Sequence, residues 1–65
     1  MIKEISIYYK NEDLKERAVV KFDTETTEFY VDYYDKNQNV FYTEFFEGKS
    51  VHFIEDAAEN WALGI

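Results

Sequence analysis

From Phe22 to Phe46 the chain is written in steps of two, and the pattern is interrupted by Thr24-Glu25-Thr26-Thr27 and by Asp35-Lys36-Asn37-Gln38-Asn39. Phe29, Val31 and Tyr33 alternate with Tyr30, Asp32 and Tyr34, and Phe41 and Phe45 recur beyond the second interruption. A strand sends successive side chains to opposite faces, so this period specifies strands with one face turned to a core. The same period precedes the segment: Ile5, Ile7 and Tyr9 alternate with Glu4, Ser6 and Tyr8, and Ala18, Val20 and Phe22 with Val19, Lys21 and Asp23. Four strands are expected, at about 2–10, 18–23, 28–35 and 39–46.

The connections are short and local. Asn11 to Arg17 is polar and reads as a loop with room for one helical turn. Thr24 to Thr27 has no Gly or Asn to take positive φ, so a four-residue connection around a type I turn is expected. Setting Asp35 opposite Asn39, with an Asn in the left-handed conformation, pairs Phe29 with Phe45, Val31 with Thr43 and Tyr33 with Phe41. On the other face it pairs Tyr30 with Glu44 and Asp32 with Tyr42. Pairing Phe22 with Phe29 and Tyr9 with Ala18 keeps the same parity across all four strands, which favours an antiparallel meander, because a one-residue slip inverts a whole strand.

After Glu47-Gly48-Lys49 the period lengthens. Val51, Ile54, Ala58, Trp61 and Ile65 recur at helical spacing with Ala57 and Ala62 beside them, while His52, Glu55, Asp56, Glu59 and Asn60 fall on the opposite side. Ser50 is placed to cap a helix over about 51–63, Gly64 to end it, and Glu55 and Asp56 to face its positive end. The expected fold is α+β: a four-stranded antiparallel β-meander with one C-terminal α-helix packed on one face, in two layers. The expected core is that stripe, anchored by Trp61, against Ile5, Ile7, Val20, Phe22, Phe29, Val31, Phe41 and Phe45.

At 65 residues this is one domain, 1–65, and with no cysteine it has neither disulfides nor thiolate ligands to help hold it. No window approaches the roughly 18 apolar residues of a membrane span, and no basic region followed by an apolar run opens the chain. A cytoplasmic protein is expected, in the host-cell cytoplasm if the source is a phage.

Charge narrows the function. Residues 1–23 carry five basic and five acidic side chains, whereas residues 24–65 carry two basic and nine acidic, so the net charge of −7 belongs to the later part. Such a surface repels phosphate backbones, which excludes direct nucleic-acid binding as an expectation even though aromatic sheets can stack bases. Ser50 and His52 are the only nucleophile and base close in sequence, but Ser50 is used as a cap and no carboxylate is placed to orient the imidazole. His52, Glu55, Asp56 and Glu59 share a helix side at i, i+3 and i+4 spacing, yet one exposed helix supplies too few ligands for a specific metal site. No enzyme activity, metal or cofactor is expected.

What remains is the sheet face left without a helix. In this reading it carries Tyr8, Tyr30, Tyr34, Tyr42 and Phe46 among Asp32, Glu44 and Lys21. Tyrosines on a solvated strand can simply satisfy β-propensity, but five rings on one face resemble a recognition surface more than scattered exposed residues. The expected function is therefore a small acidic non-enzymatic binding protein, a regulator or inhibitor. It would dock Tyr8, Tyr30, Asp32, Tyr34, Tyr42, Glu44 and Phe46 on a basic surface of a larger protein, with Glu55, Asp56 and Glu59 as a secondary acidic surface. Its acids would imitate a phosphate array, as in short acidic nucleic-acid mimics and phage host-takeover proteins. The alternative is a structural homo-oligomer that uses the same face, or its edge strands, on itself.

Overall fold

The computed structural model describes all 65 residues, Met1–Ile65. Strands β1 (Ile2–Tyr9), β2 (Arg17–Asp23), β3 (Glu28–Tyr34) and β4 (Val40–Phe45) form one antiparallel sheet in the order β1-β2-β3-β4, and α1 (Val51–Leu63) lies against one face. This is the two-layer meander that the alternation implies. The helix sits over β2, with β1 and β3 to either side, and does not extend over β4, which it meets only through Trp61 beside Phe41.

The helix ends are set by the residues expected to set them. The Ser50 hydroxyl accepts the Phe53 N–H at 3.2 Å, satisfying one of the orphan donors of the first turn. Gly64 takes φ 78°, which only glycine adopts without strain. Its N–H donates to Trp61 O at 3.1 Å while Ile65 N–H donates to Asn60 O at 2.9 Å, the paired closure of a left-handed helix stop. Two expectations for α1 need correction. Glu55 and Asp56 lie beyond the first turn, which holds no acid, so they gain little from the dipole. Ile65 falls outside the helix and is exposed, because the stop at Gly64 turns the chain away before the stripe reaches it.

Ile54 and Ala58 are fully buried against Ala18, Val20, Val31 and Tyr33, and Tyr8, Phe29, Phe46 and Trp61 pack around that cluster. Small side chains at Ala18 and Ala58 let helix and sheet approach closely. Ser6 also faces the helix, opposite Val20, and its Oγ is buried without a hydrogen-bond partner.

The central register agrees with the parity argument: Val20 stands opposite Val31 and Phe22 opposite Phe29, whose rings lie 4.6 Å apart. Both edge strands depart from it. Between β3 and β4, Asp35 N–H does donate to Asn39 O at 2.9 Å, but the residue with positive φ is Gln38 (64°), not an asparagine. Tyr34 then pairs with Val40, a bulge absorbs Phe41, and from there Tyr33 faces Tyr42, Val31 faces Glu44 and Tyr30 faces Phe45. One inserted residue thus inverts the rest of the strand. In β1 a bulge between Glu4 and Ser6 absorbs Ile5, so that Ser6 faces Val20 and Tyr8 faces Ala18.

The core is corrected accordingly. Val20, Phe22, Phe29 and Val31 face the helix as expected, whereas Ile7 and Phe45 belong to the opposite face. Phe41 reaches the helix side only through its bulge, where its ring lies 6.5 Å from Tyr33 and 6.4 Å from Trp61. Thr24–Thr27 is the four-residue connection expected, between the paired Asp23 and Glu28, and the one departure is a positive φ where no Gly or Asn stands: Thr27 N–H closes on Asp23 O at 2.7 Å with Thr27 at φ 58°. A β-branched residue in that conformation costs on the order of 1 kcal/mol.

Candidate functional site

The sheet face away from α1 is built in cross-strand rows. One row runs Ile7, Val19, Asp32, Thr43 across all four strands. On one side of it stand Tyr9, Arg17, Tyr34 and Val40, and on the other Glu4, Lys21, Tyr30 and Phe45. Val19 is 1% exposed although no helix covers it. The long side chains of the neighbouring rows must therefore shield it, and the face has a floor of its own.

Asp32 is the polar centre of that floor, 9% exposed. It accepts the Lys21 ammonium at 2.7 Å on one oxygen and the Thr43 hydroxyl at 2.6 Å on the other. Lys21 also donates to the Tyr34 hydroxyl at 2.8 Å, and the Arg17 guanidinium lies 3.9 Å above the Tyr34 ring. A carboxylate taken out of water needs such partners, because burying even a neutral polar group without them costs about 2–7 kcal/mol depending on the reference state, and an isolated charge costs more. Burial alone would pull Lys21 down, but its bonds with Asp32 and Tyr34 outweigh that and raise its pKa above the ordinary lysine value. Tyr30, 5.2 Å from the Phe45 ring, is raised by burial and by the nearby Asp32 and Asp23 carboxylates, against the opposing pull of Lys21.

The seven residues named from the sequence divide between the two faces. Tyr30, Asp32 and Tyr34 lie together on the uncovered face. Tyr8, Tyr42, Glu44 and Phe46 do not, because the bulges at Ile5 and Phe41 turn them to the helix side. Tyr8 and Phe46 pack on the core, and the Phe46 ring lies 6.2 Å from Phe53. Glu44 accepts the Tyr33 hydroxyl at 3.0 Å, and Tyr42 stacks on Tyr33 at 5.7 Å while staying 54% exposed at the margin that α1 does not reach. Their places on the uncovered face are taken by Ile7, Tyr9, Arg17, Thr43 and Phe45. The signal that the assignment was unsafe lies in the doublets Tyr8-Tyr9, Phe41-Tyr42 and Phe45-Phe46, which make both parities of an edge strand equally apolar.

Carboxylates still border the face. Glu4 stands opposite Lys21, and Asp23 opposite Glu28, all toward the β2–β3 turn. Of the secondary acidic surface, Asp56 and Glu59 are exposed on α1 and Glu55 is half-buried. The only hollow, about 440 Å³ and open to solvent, lies between the β2–β3 turn and the Phe46–Lys49 segment, with Glu28, Glu47 and Lys49 on its lining. No helix is long and apolar enough to cross a membrane. Comparison with protein-family models, with curated proteins and with solved structures finds no match.

Three groups hold their protons more tightly folded than unfolded: Lys21, Tyr30 and Tyr33, the last pushed far up by burial and by its bond to Glu44. A raised folded pKa gives stability that is whole below the unfolded value and is lost as pH climbs toward the folded one. The melting temperature is therefore expected to hold up to about pH 10 and to fall steeply above it, the unfolded tyrosines and lysines ionising near 10.0 and 10.5. Circular-dichroism melts of the wild type and Tyr33→Phe between neutral and alkaline pH check this, since the variant should lose part of the alkaline slope. An unchanged slope would remove Tyr33 from the account.

Proposed function

We propose that this chain is a small non-enzymatic binding protein, a regulator or inhibitor, that docks the uncovered face of its sheet on a basic surface of a larger cytoplasmic protein. The observation that carries the reading is the make-up of that face. Tyr30, Tyr34, Phe45, Ile7 and Tyr9 surround a floor in which Asp32 is already neutralised by Lys21, and the carboxylates of Glu4, Asp23 and Glu28 gather at one end. Rings with few rotors supply contact area at modest entropic cost, and rim charges steer and orient association more than they tighten it. With Asp32 paired and Glu44 on the other face, steering falls to Glu4, Asp23 and Glu28. Asp56 and Glu59 add to the field of −7 that would let the protein occupy a site built for phosphates.

The test uses wild type and Tyr30→Asp as paired baits in cell extract over a salt gradient, with the captured protein purified and rebound to both. A partner released as salt rises, and bound at least about 30-fold more weakly by the variant, is expected if Tyr30 lies among the central anchors of the interface. A partner indifferent to salt, or held equally by a folded Tyr30→Asp variant, would overturn the reading.

A further inference from the structure

We infer that the free edge of β4 pairs antiparallel with β4 of a second copy, so that two sheets join into one across a two-fold axis. The strand order leaves two edges, β1 and β4, and they are not alike. Natural edges are blunted by charge, bulges, proline or a covering element. The β1 edge has such features, since Lys3 and Glu4 lie on it and the Ile5 bulge breaks its middle.

The β4 edge has almost none of these features. Val40-Phe41-Tyr42-Thr43-Glu44-Phe45-Phe46 carries one charge and neither Pro, Gly nor Lys, and α1 does not extend over it. Its one bulge, at Phe41, sits beside the hairpin and leaves Tyr42 onward regular. Side chains are exposed on both of its faces, Phe45 at 62% on one and Phe41 at 56% with Tyr42 on the other.

The hydrogen-bond parity of the edge is fixed. Phe46 N–H donates inward to Phe29 O at 3.4 Å, so Glu44 and Tyr42 also turn their backbone groups to β3, and those of Thr43 and Phe45 point outward. Registers centred on Thr43 or on Phe45 set outward-pointing residues against one another and keep the two Glu44 carboxylates from standing directly opposite. The antiparallel sense also separates the acidic ends that carry Glu28 and Glu47. Because β1 is blunted, the pairing closes at two copies and does not propagate as a filament.

This inference is independent of the proposed partner and has the opposite salt response: two bodies of charge −7 repel, so salt strengthens their pairing. The test is light scattering behind a sizing column, from micromolar to near-millimolar protein at low and high salt, on wild type, Phe45→Ala and Phe45→Pro. Both variants lose the ring, but only proline removes the outward N–H, at an edge position where proline costs the β3–β4 ladder nothing. Wild type should dimerise increasingly with concentration and salt, and Phe45→Pro should bind itself at least about tenfold more weakly than Phe45→Ala. A wild type that stays monomeric at the highest concentration and salt, a Phe45→Pro that dimerises as Phe45→Ala does, or growth beyond two copies would each overturn the inference. Amide hydrogen exchange on the wild type reads the same bonds should a variant misfold. Protection at Thr43 and Phe45 that rises with concentration supports the pairing, and concentration-independent exchange there overturns it.

Discussion

Replacing Ile54 by alanine is expected to leave much of the protein unfolded at room temperature. Ile54 is 0% exposed and is the largest side chain fully enclosed between the layers, ringed by Ala18, Val20, Val31, Tyr33 and Ala58. An isoleucine cut to alanine in a closed core costs about 2–5 kcal/mol, the transfer loss plus the cavity left behind. Domains of this length hold about 3–10 kcal/mol in total, so the one truncation removes a large share of the stability. Ala18 and Ala58 cannot grow into the gap, and the sheet's own ladder keeps Val20 and Val31 apart. Phe53→Ala, one position away but half exposed toward Phe46, should cost less than about 1.5 kcal/mol. Urea midpoints for the two variants provide the check. Equal losses would mean that α1 is not seated on the sheet through Ile54.

The place of Ile54 on the buried stripe was legible in the residues, whereas the contrast between neighbours in the edge strands was not. A helix stripe is redundant: Val51, Ile54, Ala58 and Trp61 all vote for one face, and Ser50 and Gly64 fix its ends by chemistry that only a few residue types supply. In the central pair, Val20 opposite Val31 and Phe22 opposite Phe29 are set by a short turn whose four residues, Thr24–Thr27, are all exposed. The edge strands have neither safeguard. Tyr8-Tyr9, Phe41-Tyr42 and Phe45-Phe46 offer a ring to both faces, so moving one residue into a bulge costs little apolar burial, and the pattern does not say where the bulge falls. What settles β4 is polar: Thr43 must reach Asp32 and Glu44 must reach Tyr33, bonds that exist in only one of the two parities. Three of the seven expected binding residues kept their face for the same reason, since Tyr30, Asp32 and Tyr34 belong to the unbulged β3. The expected loop closure at Asp35 and Asn39 was reproduced and yet gave the wrong strand, because the slip occurs two residues later.

Removing the Asp32 carboxylate should destabilise the protein, while replacing the whole ion pair should not. In Asp32→Ala, Lys21 keeps its ammonium against the sheet, with its side chain 14% exposed, and retains only the Tyr34 hydroxyl, while Thr43 loses its acceptor. Breaking a buried pair from one side costs about 3–5 kcal/mol. Lys21 stands on a face without a covering layer and can swing its head to water, which lowers the expected loss to about 2 kcal/mol. The double variant Lys21→Met, Asp32→Leu puts apolar groups of similar length on the floor beside Val19 and Tyr34. It should come within about 1 kcal/mol of wild type, because the desolvation of both charges disappears along with their attraction. Urea midpoints across the cycle of wild type, two single variants and the double variant give the coupling energy directly. A double variant as unstable as Asp32→Ala would mean that the pair is a net source of stability. The near-neutral result would mean that Lys21 and Asp32 chiefly fix geometry: they hold Tyr34 under Arg17 and tie β2 through β3 to Thr43, so that the rings of this face stand in one arrangement before anything binds.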